Sequence, residues 1–194
     1  MESRRIIIGI TGASGSLYAR LLVERLLHFD QVGELAVVFS RNGSAVAEYE
    51  GQAFPAHKSD PRIRYFDNGD MFAPPASGSA GYDSMVVIPC SMGMIGRIAS
   101  GVSDTLIARA ADVMLKERRR LILVPREAPY GTIHLRNMTV LSECGAIIMP
   151  ASPSFYSRPG DMEQLCMTVV ERILSLMGLG GDGYRWGADR NSPR

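Results

Sequence analysis

The first residues that could do chemistry close an apolar run: Gly9-Ile10-Thr11-Gly12-Ala13-Ser14-Gly15-Ser16, with a glycine at every third position and a helical pattern behind it. A strand that turns through glycine into a helix presents backbone N–H groups and a helix N-terminus, which suits a phosphate or another anion. The spacing is G-x-x-G-x-x-G rather than G-x-G-x-x-G, and the competing reading is a tight turn in which Ser14 and Ser16 only cap the helix. A second turn, Pro89-Cys90-Ser91-Met92-Gly93-Met94, also follows an apolar run. It either offers N–H groups to a ring or phosphate or is a strand-to-helix turn capped by Ser91. A third strand end reads Val124-Pro125-Arg126-Glu127-Ala128-Pro129, a proline-bounded cation and carboxylate.

Four further charged positions lie on predicted helices. Arg109, Asp112 and Lys116 are spaced to share one helical stripe about 10 Å long, as a solvated face or as a cationic cup beside Arg126. Arg172 sits inside the apolar stretch MTVVERILSLM, where burial would demand an anion or carboxylate as partner. Phe155-Tyr156 stands in a loop with proline and glycine. Ser40-Arg41 after the second predicted strand suits the 2′-phosphate of NADP, so a nicotinamide-dependent reductase is weighed. Against it, no tyrosine has a lysine four residues on, and the strand lacks the acidic residue that holds a ribose.

The elements that must position these residues follow from periodicity. Strands are predicted at Arg5 to Thr11, Glu34 to Ser40, Ser84 to Pro89, Arg120 to Val124 and Ala146 to Pro150. Helices are predicted at Ser16 to Phe29, Asn42 to Glu50, Ser103 to Arg119, Thr132 to Cys144 and Asp161 to Met177. The continuous runs IIIGI, MVVIP, LILVP and AIIMP suit strands covered on both faces, so the expected fold is one doubly wound α/β domain with a parallel sheet in three layers. Gln52 to Gly81, rich in proline and glycine, is expected to be an irregular excursion, and the tail beyond Trp186 to be frayed.

Composition removes several classes. With 194 residues, 46% hydrophobic and 21% charged, the chain can bury one sizeable core, and a formal charge of +1 gives no nucleic-acid footprint. Only Lys58 and Lys116 are lysines, so the cations are nearly all arginine, the side chain of bidentate anion recognition. Cys90, Cys144 and Cys166 form no C-x-x-C pair and read as buried free thiols. His28, His57 and His134 form no metal-ligand pattern, so no metal is expected. No run is long enough for a membrane span, and a cytoplasmic location is expected.

Taken in order, TGASG, MFAPPASGS, IPCSMG, ARAADVMLKERR, LVPREAP, HLRNM, GAIIMPA and FY resemble the UbiX family of flavin prenyltransferases, from Ile6 to Trp186. The resemblance implies a Rossmann-like fold of the flavodoxin-type cysteine decarboxylase superfamily and transfer of a dimethylallyl group from dimethylallyl phosphate to N5 and C6 of reduced FMN. The product would serve a UbiD-type decarboxylase. It implies FMN binding by Gly12, Ala13, Ser14, Ser40, Ser91, Met92, Gly93, Met94 and Arg126. It implies phosphate binding by Tyr156 and Arg172, with charge from Arg109, Lys116 and Arg126. It implies catalytic roles for Ser14 near N5, for Lys116, and for Glu50 and Glu127 in proton handling. It further implies a homo-oligomer, commonly a dodecamer, with sites shared between subunits. Two positions differ from many relatives: Met71 where an aromatic residue is usual, and Met94 where a hydroxyl is usual. The alternatives are an FMN-dependent peptidyl or pantothenoyl cysteine decarboxylase and a flavin carrier without chemistry.

Overall fold

A computed structural model describes residues 3–180. The expectations for residues 181–186 and for the tail lie outside them. Six parallel strands form one sheet in the order β3-β2-β1-β4-β5-β6: β1 (Arg4–Ile10), β2 (Val32–Phe39), β3 (Ile63–Asp67), β4 (Ser84–Cys90), β5 (Arg120–Pro125) and β6 (Ile147–Ile148). This is the doubly wound arrangement, and the strand order reverses between β1 and β4, where such sheets open a crevice at their carboxyl ends.

Burial on both faces explains the continuous apolar runs. Ile6, Ile8 and Ile10 of β1 pack with α1 (Ser16–Leu26) and α6 (Met162–Leu176). Ile7 points the other way, into a second core with α3 (Met92–Ala99) and α4 (Leu106–Lys116). The remaining helices are α2 (Arg41–Tyr49), which follows β2, and α5 (Thr132–Glu143), which reaches this second core through Leu141. Among the described residues no helix is long and apolar enough to cross a membrane.

Three expectations are corrected. The excursion from 52 to 81 is not wholly irregular, because Ile63–Asp67 joins the edge of the sheet beside β2. Only Ile63 of that strand is fully buried, so it lacks the apolar run that marks a central strand. α3, absent from the helices predicted by periodicity, starts directly after Ser91, as the strand-to-helix reading of that turn has it. Cys144 is exposed, whereas Cys90 and Cys166 are buried as expected.

Candidate active site

At the carboxyl edge, Gly12 and buried Ala13 lead from β1 to Ser14, with Gly12 packed on Asn42 at the start of α2. Gly15 has φ of 110°, in the left-handed region that glycine enters at no steric cost. Its N–H, like that of Ser16, is directed to Glu50, the residue that ends α2. The Glu50 carboxylate accepts from Gly15 at 2.9 Å and from Ser16 at 2.8 Å. An anion at the positive end of α1 is a charge-assisted arrangement. Burial pushes the Glu50 pKa up, but the Ser14 hydroxyl and the two N–H groups outweigh it and hold the carboxyl below its ordinary 4.5.

The chain's own carboxylate thus occupies the helix N-terminus that the glycine spacing offered to a phosphate. Two neighbouring N-termini remain. Ser40 accepts from the Gly43 N–H at 3.0 Å and caps α2, and Ser91 accepts from the Met94 N–H at 3.3 Å and caps α3. The first N–H groups of each helix have no intrahelical partner. Met92 and Met94 are buried beneath the α3 turn. Gly93 is exposed, and a Cβ on it would meet nothing closer than Ser91 Oγ at 4.0 Å, so its backbone is open to a flat ligand.

Arg126 closes the ring of loops. Its Nε donates to the Ser14 carbonyl at 3.1 Å, and its backbone N–H to the Cys90 carbonyl at 3.4 Å. Glu127 is exposed and accepts from the Ala128 N–H at 3.0 Å. Buried Thr11, which the sequence reading did not select, donates its hydroxyl to the Pro89 carbonyl at 2.8 Å and accepts from the Ser91 N–H at 2.8 Å. The available signal was Pro89 itself, which lacks an N–H and leaves a gap in the β1–β4 ladder.

The other expected site residues are elsewhere on the chain. The start of α4 lies by the carboxyl end of β3, where the Asn68 carbonyl accepts from the Leu106 N–H at 2.8 Å. Arg120, four residues beyond α4, pairs with Ser84 at the first residues of β5 and β4. Lys116 at the end of α4 is therefore at the amino edge, opposite the glycine turn. There it pairs with Glu117, whose carboxyl the Lys116 ammonium holds below its ordinary range. Arg109 donates to the Ala76 carbonyl at 3.1 Å and pairs with Asp112 at 2.8 Å. Lys116 does not join Arg126 in a cup within one chain, because α4 starts at the carboxyl edge and carries Lys116 to the opposite one.

Tyr156 is exposed in the loop after β6, a loop that starts at the carboxyl side, where the Ala151 N–H reaches the Pro125 carbonyl. Arg172 is exposed rather than buried and stands about 15 Å along α6 from its first residue. Glu171 is the charge that turns inward, pairing with Arg25 at 3.1 Å. His28 accompanies the Glu24 carbonyl at the end of α1, and His57 the carbonyl of Ile63 at the start of β3, so both are remote from the carboxyl edge.

The flavoprotein family matches residues 1–177. The chain is 47% identical to the flavin prenyltransferase UbiX of Thermoplasma acidophilum, over 92% of this chain and 97% of that protein. It is 43% identical to the flavin prenyltransferase UbiX of Pseudomonas aeruginosa, over 94% of each. Among solved structures, AnUbiX (PadA1) in complex with FMN and dimethylallyl pyrophosphate superposes with a TM-score of 0.85 at 42% identity, covering 96% of this chain and 98% of that one. A dodecameric FMN-dependent UbiX-like decarboxylase from Escherichia coli O157:H7 gives 0.87 at 38%, covering 94% and 98%. The cysteine decarboxylase TvaF, at 17% identity and 0.58, shares the fold alone. On its sequence and its fold the chain belongs to the UbiX family of flavin prenyltransferases.

Proposed function

We propose that the protein binds reduced FMN at the carboxyl edge and joins the dimethylallyl group of dimethylallyl phosphate to its N5 and C6, in the cytoplasm, supplying a UbiD-type decarboxylase. The observation that carries the reading is the convergence of Ser14, Glu50, Ser91 and Arg126 on one turn of a flavin prenyltransferase fold. The donor set fits a flavin mononucleotide. With α1 closed by Glu50, a phosphate falls to the N-terminus of α2 at Ser40, and the ring to the turn of Ser91, Met92, Gly93 and Met94, whose backbone is open at Gly93. Gly12, Ala13 and Ser14 line the other side, with Ser14 near N5, and Arg126 links the two.

Reduced FMN supplies the nucleophilic N5 and C6. The residues supply the rest. As the allylic C–O bond breaks, the phosphate leaves with its electron pair, and arginine, lysine and tyrosine donors stabilise the charge it gains. Arg109, Lys116, Tyr156 and Arg172 are assigned that task. Closing the ring at C6 takes a proton from N5 and from C6 and returns one to the dimethylallyl double bond; Glu50, ionised at neutral pH, can only accept, while Glu127 and the released phosphate can accept a proton and return one to the alkene. Met92 and Met94 keep water from the ring side.

Lys116 lies at the opposite edge of the sheet from Ser14 within one chain, so the reading assigns it, with Arg109 of the same helix stripe, to a neighbouring copy in a homo-oligomer of the dodecameric kind. Substituting Lys116→Ala and Glu127→Ala tests whether the protein is an enzyme or a carrier. Retained FMN binding with lost transfer supports the enzyme; undiminished formation of active cofactor contradicts it.

A further inference from the structure

We infer that Thr11 is a positioning residue, one that joins the two flavin-binding turns into a single rigid wall. The inference rests on the flavin reading above. The ladder between β1 and β4 runs as far as Gly9 and Val87. Beyond it β4 passes through Pro89, which has no N–H to give. The Thr11 N–H still reaches the Pro89 carbonyl at 3.2 Å, and the Thr11 hydroxyl donates to that same carbonyl at 2.8 Å. Its oxygen then takes the Ser91 N–H at 2.8 Å, supplying the acceptor that the interrupted ladder lacks.

This hydroxyl is almost fully buried, and both of its bonds cross from the first turn to the second. The consequence for the site is directional. With the Ser91 N–H turned back to Thr11 and its Oγ spent on Met94, the N–H groups of Met92 and Gly93 are the ones left to face the crevice. Arg126 makes the matching link on the other side, from β5 to Ser14 and Cys90. Removing the Thr11 hydroxyl would leave the part-buried Ser91 N–H without this acceptor and the Pro89 carbonyl with the Thr11 N–H alone, and free the second turn to rotate relative to the first.

The test compares Thr11→Val, which keeps the shape and removes the hydroxyl, with Thr11→Ser, which restores it, in the full-length oligomeric protein. FMN affinity is read by quenching of flavin fluorescence, alongside the absorbance of bound flavin and the melting temperature. Thr11→Val is expected to weaken FMN binding at least about tenfold and to shift the bound-flavin spectrum, while Thr11→Ser stays within about threefold of the unmodified protein. Unchanged FMN affinity in a folded Thr11→Val protein overturns the inference, even if its melting temperature falls, since a merely structural threonine would do that. Equal weakening in both variants also overturns it, because packing would then be the cause. If Thr11→Val does not fold, Thr11→Ala is read against Thr11→Ser in the same way. A parent protein that binds no FMN overturns the flavin reading instead.

Discussion

The turns at the carboxyl edge of the sheet and the exposed stripe along α4 carry charge in opposite ways. At the carboxyl edge, Glu50 and Arg126 bond to backbone groups of neighbouring loops, so the scaffold fixes where they point. Along α4, Arg109 and Lys116 pair with Asp112 and Glu117, side chains close in sequence and partly exposed. Exposed pairs of this kind contribute little to stability and exchange readily for another anion. One region is preorganised to hold a ligand in register; the other keeps its cations available. On the proposed reading each is half of a site, and the direction of α4 keeps Lys116 apart from the carboxyl edge within a single chain.

The largest effect is expected from removing an available cation. Lys116→Ala or Arg109→Ala should lower kcat for prenyl transfer by about 10²- to 10³-fold while FMN affinity stays within about threefold. Arg126→Ala should instead weaken FMN binding. If Lys116→Ala weakens FMN as much as Arg126→Ala does, the division between the regions fails.

Next in size is complementation. Mixed oligomers of Lys116→Ala and Arg126→Ala chains should regain about a quarter of the activity of the unmodified protein if two copies build each site. No recovery after verified mixing would place both residues in one copy's site.

Glu50→Gln tests the preorganised side through stability. It should lower the melting temperature by the about 1 kcal/mol of a lost charged cap, some 2–4 °C for a chain of this size. The folded carboxyl titrates below 4.5, so its contribution is complete above that pH and is lost as pH falls through the lower folded value. The difference in melting temperature between the two proteins should be constant from about pH 8 to 5 and shrink in stronger acid. A difference that grows on acidification would reverse the assigned shift. The smallest effect belongs to Glu117→Gln, which should leave the melting temperature unchanged because its pair with Lys116 is exposed.

What the sequence disclosed follows the same division. The central strands were legible because burial on both faces leaves unbroken runs such as IIIGI and LILV. β3 was not, since an edge strand buries little; Tyr65 is exposed on it and stacks on Phe39 of the next strand. α3 was hidden by the two glycines in MGMIGRIA. The stripe of Arg109, Asp112 and Lys116 was readable from spacing, but which end of the sheet it reaches depends on the direction of α4. Glu50 at the start of α1 was not readable from the turn itself, because the partner arrives from the far end of the next helix. Arg172 misled for a related reason: neighbours in an apolar helix do not tell which charge turns inward, and here it is Glu171.

The most direct measurement is anaerobic incubation of the purified protein with reduced FMN and dimethylallyl phosphate, followed by mass analysis of the extracted flavin. The account predicts a flavin heavier by one C5H8 unit, formed only when protein and both substrates are present. Unmodified FMN with the monophosphate, and again with the diphosphate, from protein that binds reduced FMN, would contradict it.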